Sequence, residues 1–108
     1  MGFDVHNAAR ELIERLHRPL AVLAERDPDL ARQLRRAAPS VLFNIGEGSR
    51  RRGKDRIHHY RIAAGSAGEV KDALFVARAW HYLEEALVTR LEALTDRILA
   101  MLWRLTRE

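Results

Sequence analysis

The run Gly48-Ser49-Arg50-Arg51-Arg52-Gly53-Lys54-Asp55 has the spacing of a phosphate-binding loop, G-x-x-x-x-G-K. In such a loop backbone N–H groups cradle phosphates, and the residue after the lysine gives a hydroxyl to magnesium. Here that residue is Asp55, a carboxylate that repels phosphate, and no parallel sheet surrounds the run to carry it. Nucleotide hydrolysis is set aside on those grounds. Gly46-Glu47-Gly48 opens like a dinucleotide fingerprint, but Arg51 stands at the third glycine position and no βαβ unit encloses it.

Other chemistries find no better footing. His58 and His59 are adjacent, so on a helix they point about 100° apart and do not chelate one ion together. His6, His17 and His81 have no carboxylate at convergent helical spacing. There is no cysteine, which removes disulfides and thiolate metal sites. Glu47 and Glu69 are flanked by small residues, which suits inward placement, and pairing with arginines such as Arg36 or capping of backbone donors explains them better than acid–base catalysis. The reading is of a non-enzyme with no cofactor and no metal.

The strongest lead is basic. Arg50, Arg51, Arg52, Lys54 and Arg56 crowd one interhelical junction, with Arg32, Arg35, Arg36 and Arg61 on the adjoining segments. From Arg26 to Arg61 the chain holds ten bases and four acids, a net +6, while the remainder of its 108 residues is net −2. All but two of the 19 bases are arginine, whose planar fork matches phosphate, although a GC-rich genome would also favour its codons. Like charges this close cost stability unless acids or a polyanion neutralise them. Two readings stay open: an ordinary solvated turn, and a surface that meets RNA or DNA through phosphate contacts that position without specifying.

The elements that hold these residues read as helices throughout. Val5, Ala9, Leu12, Leu16, Leu20 and Leu23 form one apolar stripe over 4–26, interrupted at Pro19, whose ring and missing donor predict a kink or break. A second helix, 28–47, starts at the N-cap pair Asp27-Pro28 and carries Leu30, Leu34, Ala37, Val41 and Ile45, with a kink expected near Arg35 from Pro39. A third, 54–82, contains the small-residue run 63–68, which predicts deep packing there because such residues admit a close neighbour but weaken an isolated helix. A fourth, 84–106, repeats Leu87, Leu91, Leu94, Ile98, Met101 and Leu105 at four- and three-residue steps. Short connections favour a single domain over 1–108, all-α, folded as an antiparallel up-down four-helix bundle. No stretch approaches the ~20 apolar residues of a membrane span and no signal-peptide core opens the chain, so the expected location is cytoplasmic, away from membranes.

Two linked motifs carry a family resemblance. The first is Leu30-Ala31-Arg32-Gln33-Leu34-Arg35-Arg36-Ala37-Ala38, then Ser40, then Asn44-Ile45-Gly46-Glu47-Gly48. The second is Arg61-Ile62-Ala63-Ala64-Gly65-Ser66-Ala67-Gly68-Glu69-Val70, followed by Leu74. Together they resemble the small four helix bundle proteins, among them those encoded in intervening sequences of bacterial 23S ribosomal RNA genes. The accessory variability protein of diversity-generating retroelements is similar. The resemblance implies a bundle that assembles as a ring-like homopentamer with a basic surface, and it implies no active site. It makes Asn44, Glu47, Gly48, Gly65, Ser66 and Glu69 structural, and the arginines around them the RNA contacts. The family's proline two residues before the asparagine is Leu42 here, with Pro39 three residues earlier.

The function expected from both lines is nucleic-acid binding, RNA over DNA, by a homo-oligomer. Its rival is a protein–protein adaptor in which the bundle docks a partner such as a reverse transcriptase.

Overall fold

The computed structural model describes residues 4–107, which fold into five α-helices with no strand among them. These are α1 (Val5–Arg15), α2 (His17–Arg26), α3 (Pro28–Ser49), α4 (Gly53–Ala79) and α5 (Glu85–Thr106). The helix expected over 4–26 is therefore two, divided at Leu16. Pro19 is the cause. Its ring clashes with the carbonyl four residues back, that of Arg15, and α1 ends at Arg15. Pro19 then falls in the first turn of α2, where no intrahelical donor is required. The break is one residue wide, since Leu16 N–H donates to Leu12 O at 3.0 Å and Leu20 N–H to Leu16 O at 2.9 Å.

Pro39 behaves differently. In place of the kink expected near Arg35, α3 continues through it as one 22-residue helix. Ala37, Ala38 and Val41 around it are all buried, and that packing holds the helix together across the one lost hydrogen bond.

Caps set the starts. Asp4 Oδ1 accepts from Asn7 N–H at 2.8 Å to open α1, and Asp27 Oδ1 accepts from Leu30 N–H at 3.1 Å to open α3. The end of α4 is a Schellman motif: Tyr82 N–H reaches Ala77 O at 2.8 Å and His81 N–H reaches Arg78 O at 3.0 Å. His81 occupies the left-handed position usually given to glycine, at φ 60°.

The stripes read from the sequence on α1, α2 and α3 face the core, with Leu20 only half-buried. On α5 the buried row is Val88, Leu91, Leu94, Thr95, Ile98 and Leu102, so Leu87 and Met101 lie at its border and Leu105 is exposed. Thr95, the one buried polar side chain among the described residues, donates to Leu91 O of its own helix at 2.8 Å. α4 packs against both α3 and α5, and α1 against both α3 and α5. Ion pairs Lys71–Asp96 (2.7 Å) and Arg78–Glu92 tie α4 to α5.

The small-residue run on α4 departs from expectation. Ala63 and Ala67 are fully buried, but a Cβ placed on Gly65 or Gly68 would meet nothing within 4 Å. The helical period explains the split. Ala63, Ala67 and Val70 share the inner face, whereas Gly65 is turned about 200° from Ala63.

Candidate nucleic-acid interface

The basic junction lies where α3 gives way to α4. A connection of only three residues, 50–52, joins them, and Gly53 enters α4 at φ 57°. Two close contacts make so short a turn possible. Gly48 presses on α4, where a Cβ would come within 2.6 Å of Tyr60 Cε1 and 3.3 Å of Arg56 O. Arg56 reaches back from α4, donating from Nε to Gly48 O at 3.0 Å and from Nη2 to Ser49 O at 3.1 Å. It caps the last carbonyls of α3, adding to the Arg51 N–H that Gly48 O also accepts at 3.1 Å. Arg56 thus has a structural task that its charge alone did not reveal.

The other bases of the turn are exposed, and two of them are partly neutralised. Arg51 Nη1 pairs with Asp55 Oδ2 at 2.7 Å and Arg51 Nη2 with Glu47 Oε2 at 3.7 Å. The hydrogen bond from Arg51 holds the Asp55 carboxyl below its ordinary value of 3.8. Arg50 Nη2 lies 3.4 Å from Glu47 Oε1. Glu47 therefore serves the arginines of the turn, one helical turn away, rather than Arg36.

The nine bases singled out from the sequence do not form one cluster. Arg50, Arg51, Arg52, Lys54 and Arg56 meet at the turn. Arg32, Arg35 and Arg36 lie at least 14 residues back along α3, about 21 Å or more at the helical rise. Arg32 is paired there with Asp29 at 2.7 Å. Arg36 lines a groove of about 250 Å³ between α3 and α4 with Gln33, Glu69 and Asp72. Arg61 is exposed on α4.

Between the two groups runs a polar seam. Ser40 Oγ and Ser66 Oγ are 2.8 Å apart across α3 and α4. Asn44 Nδ2 donates to Ser40 O at 3.0 Å and to Ser40 Oγ at 3.2 Å, and Asn44 Oδ1 faces His59 Nδ1 at 3.2 Å. Since the Asn44 amide nitrogen already donates to Ser40, its oxygen accepts from His59 Nδ1–H. The sequence reading weighed His59 only as a metal ligand and missed this hydrogen bond. The signal was the spacing: Ser40 and Asn44 are four residues apart, and His59 and Ser66 seven, so each pair shares a helix face. Gly65 is exposed beside this seam.

No group of three or more His, Asp or Glu side chains placed to hold a metal occurs among the described residues. None of their helices is long and apolar enough to cross a membrane.

Comparison with known proteins bears on this arrangement. No curated protein matches the chain. A solved structure from Bacteroides thetaiotaomicron VPI-5482, described as a protein with unknown function from the S23 ribosomal protein family, superposes with a TM-score of 0.87. That match covers 96% of this chain and 99% of the other at 18% identity, a likeness of fold. At the level of sequence the match is to the 23S rRNA-intervening sequence proteins and spans residues 2–104, both linked motifs and all of α1 to α4 included. A match over nearly the whole chain makes this protein a member of the 23S rRNA-intervening sequence protein family.

Proposed function

We propose that the protein is a non-enzymatic nucleic-acid-binding bundle, preferring RNA, whose contacts to phosphate come from Arg50, Arg51, Arg52 and Lys54 at the α3–α4 turn. The observation that carries this is the charge of the turn. From Glu47 to Arg56 five bases stand against two acids, a net +3 within ten residues. Arginine and lysine at such density gain by releasing the counterions condensed on a nucleic acid. Arg35 and Arg36 are outlying contacts in this reading, too far along α3 to meet the same phosphates as the turn, and Arg61 stands two turns into α4, about 10 Å along the axis from Lys54.

The rest of the reading concerns assembly. Counting α1 and α2 as one interrupted rod, the short connections suit an antiparallel up-down four-helix bundle. The exposed side chains of Ile62 and Phe75 on α4 suit a homo-oligomer, with a pentameric ring as the proposed form and the cytoplasm as the proposed location. Trp80, 62% exposed at the far end of α4, favours the second reading, an adaptor that docks a protein partner such as a reverse transcriptase.

The test is a fluorescence-anisotropy titration of labelled RNA and duplex DNA between about 50 and 200 mM salt. Binding that weakens steeply with salt, and a shallower slope after the triple change Arg50→Ala, Arg51→Ala, Arg52→Ala, is the expected result. No binding at the lowest salt would overturn the nucleic-acid reading and leave the adaptor. A solution mass near five times the 12.4 kDa chain is expected for the ring.

A further inference from the structure

Phe43 is the most exposed of the large hydrophobic side chains among the described residues, at 68%. It stands on the wall of a concavity of about 440 Å³ between α3 and the start of α1. That volume lies in the range of small-molecule sites. Leu42 and Phe43 supply an apolar wall, and His6, Asn44, Glu47 and Arg50 supply a polar margin. The floor is Gly46, where a Cβ would lie 3.5 Å from Arg50 Nη1 and 3.9 Å from His6 Nε2, so both polar groups bend over bare helix backbone.

We infer that this concavity is a subsite for one unpaired nucleobase, stacked on the Phe43 ring, on a strand whose phosphates are held at the α3–α4 turn. The inference rests on the nucleic-acid reading and adds the form of the ligand: single-stranded. Three observations support it. An exposed aromatic ring offers a base a flat partner, and stacking tolerates any base because each has a π-face. Arg50 belongs both to the concavity and to the basic turn, so base and phosphate sites are continuous. Phe43 on α3 and Arg50, the residue just past its end, are seven positions apart, on one face and about 10 Å along the axis, within reach of a base and the phosphates that flank it. The margin fits as well. Glu47 Oε1 is only loosely engaged by Arg50 at 3.4 Å, leaving a carboxylate to accept from an exocyclic amine at the base edge. A base inside a duplex is stacked on both sides and does not reach the ring, so the subsite distinguishes single strands from duplex.

The experiment compares wild-type protein, Phe43→Ala and Phe43→Trp against a single-stranded oligoribonucleotide, the single-stranded DNA of the same sequence, and an RNA duplex. Phe43→Ala should weaken binding of the single strands by roughly 5- to 150-fold, with duplex binding and the salt slope unchanged. Phe43→Trp should retain single-strand binding. Equal loss on all three ligands, or no loss on any, would overturn the subsite while the phosphate reading stands. Loss on RNA alone would tie the subsite to ribose, and equal loss on both single strands to the base itself; either sustains it. Wild-type protein that binds none of the three at low salt would overturn both readings together. The solution mass of Phe43→Ala is measured alongside, and a change in subunit number would assign this face to a second copy of the chain and overturn the subsite.

Discussion

Tyr60 of α4 lies so close over Gly48 of α3 that a Cβ on the glycine would sit 2.6 Å from Cε1 and 2.7 Å from Cδ1 of the ring. In a helix interior alanine is ordinarily better than glycine by about 0.5–1 kcal/mol. Here the clash decides the sign, because Tyr60 is only 6% exposed and has little space to yield. Gly48→Ala is expected to destabilise the fold by about 1–3 kcal/mol. In urea unfolding, combination with Tyr60→Ala should cost less than the two changes summed, since the second removes the clash created by the first.

The opposite sign is expected on the outer face of α4. Gly65→Ala and Gly68→Ala meet open space within one chain, so each should raise helix stability by about 0.5–1 kcal/mol. Thermal unfolding of dilute protein reads this directly. A loss of stability, together with a change in solution mass, would instead show that a neighbouring subunit approaches this face.

His81 holds the left-handed position at the end of α4 with φ 60°. A side chain in that conformation costs of order 1 kcal/mol that glycine does not incur. His81→Gly should therefore raise stability by about 1 kcal/mol and keep the Schellman hydrogen bonds, seen as an upward shift in the urea midpoint without change in slope.

Asp55 reports on the turn through pH. Arg51 lowers its folded pKa, so the pair's contribution is present above the ordinary carboxylate value of 3.8 and is lost as pH falls through the lower folded value. Below that, Asp55 no longer restrains Arg51. Asp55→Asn should release the guanidinium at neutral pH, tighten RNA binding and steepen its salt dependence by up to about one unit of slope. An unchanged slope would remove Arg51 from the contact set.

Much of the architecture was legible without coordinates, because it follows from local rules. Asp27-Pro28 marks the start of α3 since an aspartate side chain and a missing proline donor both suit a first turn. The stripe Leu30, Leu34, Ala37, Val41 and Ile45 faces inward because the 3.6-residue period brings it to one face. Membership of the family was likewise legible, in two motifs whose separation is a property of the chain alone. The two prolines show where local rules stop. Pro19 divides a helix and Pro39 does not, and the ring is the same in both. What differs is position: Pro19, itself buried, falls in the opening turn of a new helix, whereas half-buried Pro39 lies deep inside a continuous one.

The sequence by itself determined that this protein is helical, where most of its helices begin, and that its positive charge is gathered in the middle third. Only the tertiary structure decided which of those charges act together. Helix length parts Arg32, Arg35 and Arg36 from the turn by about 21 Å or more, while side-chain contacts that depend on rotamers give Arg51 to Asp55 as an ion pair and Arg56 to the carbonyls of α3 as a hydrogen-bond donor. Tertiary packing likewise left Gly65 and Gly68 in open space and placed Phe43 beside His6, 37 residues away in the chain. Spacing along a helix sets which residues share a face, but what lies opposite that face depends on how whole helices pack.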